Sequence, residues 1–263
     1  MGTMNRWQQK LGIIRSLLMY YAMPFRAGRR RRLYAQFVRP GDLCFDIGAH
    51  VGNHLRAFLS LGARVVAVEP QPQLARLLRR WYGKHPAVIV VEQALGASVG
   101  RQDLLISTRT PTVTTLSPAW AAQVGRTAAF AAVRWDAATS VEVTTLDALI
   151  ERYGEPAFCK IDAEGYELEI LKGLSRPLRA LALEYIPAAI EIALGCVERL
   201  AQMGHYRFNW TVGESLRLRS SEWLDARSLI AHLQSLPPTA RSGDIYARLV
   251  DVAPEGVRSE GSL

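Results

Sequence analysis

Three things are scarce in this 263-residue chain, and each scarcity removes a class of protein. Cysteine is the first: Cys44, Cys159 and Cys196 are an odd number, far apart, with no pair at metal or redox spacing. They read as reduced core thiols of a cytoplasmic protein, not as a disulfide framework. Long apolar runs are the second. The best candidate, residues 11–25, is broken by Arg15 and runs into Pro24, short of the roughly 20 apolar residues that a membrane span needs. It leads into four consecutive arginines at 29–32 where a secretory leader would show small residues, so neither a span nor export is expected. Acidic residues are the third, and their absence is local. Residues 1–40 hold nine of the 32 basic side chains and no Asp or Glu, which leaves 23 basic against 24 acidic groups in the rest of the chain. The net charge of +8 thus belongs to one arm. A nucleic-acid binder would spread its basic footprint over a face of the domain, so nucleic acid is not an expected partner.

What remains is an ordinary globular composition, 49% hydrophobic and 21% charged, long enough for one α/β domain. Trp7, Leu11, Ile14, Leu18 and Tyr21 recur at helical spacing, giving a basic amphipathic arm over residues 1–37. A turn at Pro40-Gly41-Asp42 opens the domain, residues 38–250. Strands are expected at 43–46, 64–69 and 88–91, with helices at 52–61 and around Leu74, Leu77, Leu78 and Trp81 between them. Residues 104–106 add a short strand, and 108–140, rich in Thr, Ala and Trp, read as an insertion. Alternation resumes with strands at 157–162 and 181–184 and helices at 164–174 and 188–203. Residues 206–210, 215–218 and 245–250 suggest closing strands, and 251–263 a flexible tail. Such alternation argues for a parallel sheet with helices on both faces.

Chemistry concentrates where the first strand ends, at Phe45-Asp46-Ile47-Gly48-Ala49-His50-Val51-Gly52. Glycines there let the backbone approach a ligand at the carboxyl edge of the sheet. Glu69 ends the next strand, 21 residues after Gly48, where a carboxylate meets ribose hydroxyls. A dinucleotide enzyme would show G-x-G-x-x-G, whose N–H groups hold a pyrophosphate. This chain has D-x-G-x-x-x-G, and the carboxylate of Asp46 would oppose phosphate oxygens. S-adenosylmethionine has no phosphate and carries an ammonium and a sulfonium, so charge favours that donor. On its own the motif is also compatible with a plain strand-to-helix turn.

A third block, Lys160-Ile161-Asp162-Ala163-Glu164-Gly165-Tyr166-Glu167, makes the pattern specific. Together with the first block, with Val68-Glu69-Pro70, with Thr144-Thr145-Leu146-Asp147 and with Gly243-Asp244-Ile245-Tyr246, it resembles the FkbM-type methyltransferase family over roughly residues 38–250. The resemblance implies a Rossmann-like class I methyltransferase fold with a seven-stranded, mostly parallel sheet. It implies that Asp46, Gly48 and Gly52, with Ala49, His50 and Asn53 in the same turn, hold the methionine part of S-adenosylmethionine. Glu69 would take the ribose, and Gln93 and Ala94 the adenine. Ala163 stands where the family commonly has Val.

Methyl transfer to oxygen gains from a base, and Asp162 or Glu164, at the end of the fourth strand, is the expected one. A structural alternative for Glu164 is to cap the following helix. Lys160 shares strand parity with Asp162 and is either a base or, more simply, a paired cation. His50 and His54 have zinc spacing, but no further ligand follows locally; His50 reads as pocket lining and His54 as a packed or solvated helix position. No metal is expected, and a magnesium ion assisting through Asp162 and Glu164 is an alternative for which the sequence gives no positive sign. The four arginines could touch an anionic membrane surface, or be a solvated face of a helix that packs back on the domain. Trp120 and Trp135, among the threonines of the insertion, either stack on a ring-shaped acceptor or anchor the insertion. The expectation is O-methylation of a hydroxyl on a sugar, glycolipid or secondary metabolite. A dinucleotide-dependent oxidoreductase and a donor-binding module without catalysis are the alternatives.

Overall fold

In the computed structural model, which describes residues 24–250, the domain begins earlier than Pro40. Helix α1 (Pro24–Tyr34) leads into a turn, and Leu33, Tyr34, Phe37 and Val38 are buried. Tyr34 packs on Phe58 and Phe158 with ring centroids 4.6 and 5.4 Å apart, and Phe37 packs tilted on Phe158 at 5.1 Å and stacks on Tyr246 at 5.7 Å. Each such burial contributes about 1.5–3 kcal/mol, so Leu33, Tyr34, Phe37 and Val38 are part of the core. The amphipathic pattern at Trp7 to Tyr21 and the tail at 251–263 lie outside the described residues. Among the described residues no helix is long and apolar enough to cross a membrane.

β1 (Leu43–Ile47) is buried at every position, as a strand covered on both faces must be. Its side chains alternate: Leu43, Phe45 and Ile47 join one core, Cys44 the other. α2 (Asn53–Ser60) and β2 (Arg64–Val68) follow, then α3 (Pro72–Tyr82), whose Leu74, Ala75 and Leu78 face inward, and β3 (Val88–Val91). A small second sheet comes next. β4 (Ala94–Leu95) pairs in parallel with β6 (Ala137–Thr144), which pairs antiparallel with β5 (Gly100–Ile106). The segment expected as an insertion over 108–140 is mostly the excursion 107–136 between β5 and β6, and it contains α4 (Pro118–Val124). Beyond it lie α5 (Leu146–Tyr153), β7 (Phe158–Ile161), α6 (Glu167–Lys172), β8 (Ala180–Tyr185), α7 (Ile190–Met203), β9 (Tyr206–Trp210), α8 (Ala226–Gln234) and β10 (Gly243–Leu249).

The main sheet has the order β3-β2-β1-β7-β8-β10-β9, with β10 antiparallel to both neighbours and the other pairings parallel. The expected seven-stranded, mostly parallel sheet with helices on both faces is therefore the one observed. Its winding reverses between β1 and β7, and a doubly wound sheet opens its ligand crevice beyond the carboxyl ends of the strands at that point. The three cysteines are buried and free. Two expected elements differ. Residues 215–218 form no strand, since Leu216 sits at φ 52, a left-handed geometry that a strand cannot accommodate. The helix expected from 164 starts at Glu167, because Glu164 at φ 50 and Gly165 at φ 88 break it.

Candidate active site

The crevice is built by a turn with little slack. Gly48 has φ +78, and a Cβ placed on it would lie 1.9 Å from the Asp162 carbonyl oxygen. Only glycine lets the ends of β1 and β7 approach this closely. The N–H groups of Gly48 and Ala49 both donate to the Val68 carbonyl, at 2.9 and 3.0 Å, and that of Gly52 donates to Ala49 at 2.7 Å. His50 donates its main-chain N–H to one Glu69 carboxylate oxygen and Gln71 donates to the other, each at 2.8 Å. Glu69 thus braces the turn from the next strand end. Burial pushes its carboxyl up to about 7 against those two hydrogen bonds.

A cleft of about 770 Å³, partly open to solvent, lies against this turn. Gly48, His50, Asn53, Glu69, Gln93, Ala94, Asp162 and Glu164 all line it. The remaining four expected residues stand behind that wall. Asp46 is fully buried and accepts the Leu55 N–H at 2.9 Å, so it braces the start of α2; burial raises it to about 7. Ala49 is buried, and Gly52, at φ +80, packs closely on Leu78 and Tyr82. Lys160 is 1% exposed, 3.4 Å from an Asp162 oxygen and 2.9 Å from one of Asp244. Burial pulls its ammonium down, yet Asp162 and Asp244 outweigh this and hold it well above its ordinary value. A cation so held keeps its proton, and the paired alternative is the one the geometry favours.

Two residues that the sequence reading missed complete the acidic centre. Glu184, at the end of β8, brings a carboxylate oxygen within 4.8 Å of those of Asp162 and Glu164, a grouping that could hold a divalent cation. Burial, reinforced by neighbouring carboxylates, drives both Glu164 and Glu184 well up. Glu167, not Glu164, holds the local backbone: it accepts the N–H groups of Ala163 at 2.9 Å and Gly165 at 3.1 Å. A charged residue ending a buried strand is the signal that could have flagged Glu184.

A second, larger cavity of about 2000 Å³, also partly open, adjoins the first. Asn53, His54, Thr112, Asp162 and Glu164 line both. His54 is therefore at the junction and not merely a helix position. Its Nδ1 lies 2.5 Å from the Tyr34 hydroxyl, and burial, with the charges of Arg30 and Lys160, keeps the imidazole neutral. Trp120 serves as an anchor: it is 2% exposed, packs against Gly165, and meets Phe130 and Trp135 edge-on. Trp135 in turn donates its indole N–H to the Val113 carbonyl at 2.8 Å.

A family model described as the methyltransferase FkbM domain matches residues 46–194, more than half of the sequence. The chain belongs to the FkbM methyltransferase family. The match begins at Asp46 and takes in the glycine turn, Glu69, Asp162, Glu164 and Glu184 of this FkbM domain. A curated relative, hexuronic acid methyltransferase AglP of Haloferax volcanii, is 26% identical over 153 residues, which is 57% of each protein. Among solved structures, an O-methyltransferase from Bacillus cereus in complex with SAH shares 16% identity, covering 95% of this chain and 92% of that one, at a TM-score of 0.47. A precorrin-6y C5,15-methyltransferase from Geobacter metallireducens shares 15%, covering 84% and 86%, at 0.45.

Proposed function

We propose that this chain is an S-adenosylmethionine-dependent O-methyltransferase acting on a hydroxyl of a sugar or a related metabolite. The observation that carries this reading is the meeting of two cavities at Asp162 and Glu164. The smaller cleft suits the donor, and the larger one the acceptor. Its fit to this donor rests on charge and on spent donors. The N–H groups of Gly48, Ala49, His50 and Gly52 are already used within the protein, so they cannot cradle a pyrophosphate, and the acidic wall suits a cation. This argues against the dinucleotide alternative. Glu69 would take the ribose hydroxyls, and Gln93 and Ala94 would border the adenine.

The donor supplies an electrophilic methyl on a sulfonium. The protein's part is to align the acceptor oxygen with it and to receive the hydroxyl proton. Asp162 is positioned by Lys160, and the Glu164–Glu184 pair offers a carboxylate to accept that proton. A sugar is favoured among acceptors because the similar archaeal protein is named for a hexuronic acid, although the chain spans only 57% of that relative's length.

Calorimetry with S-adenosylhomocysteine tests the donor site. Glu69→Ala should weaken binding by about 1.5–3 kcal/mol, and NAD should not bind. Unchanged affinity, or NAD binding, would refute the assignment. With labelled donor and fractionated native extract, Asp162→Asn or Glu164→Gln should slow labelling by about 10²–10⁴-fold while donor affinity holds. Label found on nitrogen, carbon or protein would refute the hydroxyl reading.

A further inference from the structure

The larger cavity carries charge of both signs. Asp162, Glu164, Glu184, Glu214 and Asp244 line it, and so do Arg30 and Arg241. Arg30 is 3% exposed, although it lies within a run of four arginines whose other members face solvent. A buried guanidinium brings five N–H donors that need partners. Among the described residues none of the five makes a hydrogen bond, and its Nε is buried without one. Among the described residues its one ion contact is Glu214, at 3.5 Å, whose side chain is half exposed and is shared with Arg26 at 3.9 Å. One carboxylate between two guanidiniums leaves positive charge uncompensated. Arg241, exposed and with no ion pair among the described residues, adds to it: its guanidinium lies within 3.3 Å of where a Gly213 Cβ would stand, beside Glu214.

We propose that the larger cavity is an acceptor site for an anionic sugar, whose carboxylate or phosphate is held by Arg30 and Arg241 while a hydroxyl reaches Asp162 and Glu164. The proposal rests on the methyl-transfer reading and adds the charge of the acceptor. Arginine suits the task, since its planar fork matches either anion in two-point contact. Holding the anion at the arginines while a hydroxyl meets Asp162 and Glu164 fixes which hydroxyl is presented.

The test uses the full chain saturated with S-adenosylhomocysteine and three probes: methyl glucuronide, glucose 6-phosphate and methyl glucoside. Calorimetry should show the two anionic sugars binding about tenfold or more tighter than the neutral one, and the stronger of the two identifies the anion. Arg30→Gln should erase that preference without changing affinity for methyl glucoside or S-adenosylhomocysteine, and Arg30→Lys should retain part of it. Arg241→Gln, at an exposed position that does not threaten folding, should weaken the anionic probes several-fold. Equal binding of all three probes, binding of none, or a preference that survives both Arg30→Gln and Arg241→Gln would overturn the anion site and leave the donor reading standing. Failure of wild type to bind S-adenosylhomocysteine would instead overturn the methyl-transfer reading.

Discussion

Replacing Gly48 by Ala offers a sharp test of how the crevice is built. Two costs add. An L-residue at φ +78 carries about 1–2 kcal/mol of left-handed strain. The new Cβ would also lie 1.9 Å from the Asp162 carbonyl oxygen, and ordinary contact begins near 3.4 Å, so the ends of β1 and β7 must part by about 1.5 Å. Such overpacking costs about 1–3 kcal/mol. It also strains the 3.0 Å hydrogen bond from Asp162 N–H to the Ile47 carbonyl, worth about 1 kcal/mol. A total near 4 kcal/mol is expected. Gly41→Ala is the control, since Gly41 has φ +88 but nothing within 4 Å of the added Cβ, so it bears the strain alone. Urea unfolding of both variants at one pH measures the difference, which should be about 2–3 kcal/mol with unchanged slope. If the two lose stability within about 0.5 kcal/mol of each other, the close approach of β1 to β7 is not what glycine is needed for.

Two further outcomes are expected. Glu69 is raised from 4.5 to about 7 in the folded protein, so its stabilising effect is full below pH 4.5 and is lost as pH rises through 7. Urea midpoints of wild type should therefore fall between pH 5 and 8 by more than those of Glu69→Gln, the difference approaching about 3 kcal/mol, whereas parallel profiles would show that Glu69 titrates normally. On α1, Arg29, Arg31 and Arg32 face solvent while Arg30 does not, so replacing those three by Gln should abolish weak, salt-sensitive binding to anionic vesicles and leave folding intact; binding that persists in the variant would place the lipid contact elsewhere.

Much of the smaller cleft was legible because its signals are local. Leu43-Cys44-Phe45-Asp46 and Phe158-Cys159-Lys160-Ile161 are apolar runs that end near a charge, and the glycines at 48 and 52 follow within one turn. The larger cavity was less so, because its residues meet through long-range pairing. Glu184 and Asp244 become neighbours only when β10 pairs antiparallel with β8. Arg30 was hidden in a run of like charge, and only helix phase separates it: it lies three, four and seven residues before Leu33, Tyr34 and Phe37, the buried face of that segment. Tryptophans at 120 and 135 suggested a stacking platform, yet Gly165, bare of a side chain, receives Trp120 and turns it into a wedge.

The two cavities differ in how far along the chain they reach. The smaller cleft is lined wholly by residues inside the family match, 46–194, whereas the larger cavity, also lined mostly from that stretch, adds Arg30 from before it and Gly213, Glu214, Leu216 and residues 238–244 from after it. The larger cavity is thus a composite, built on the matched stretch and closed by chain on either side of it. A chimera that exchanges only those flanking segments asks whether they alone change what the larger cavity takes while the smaller cleft stays intact.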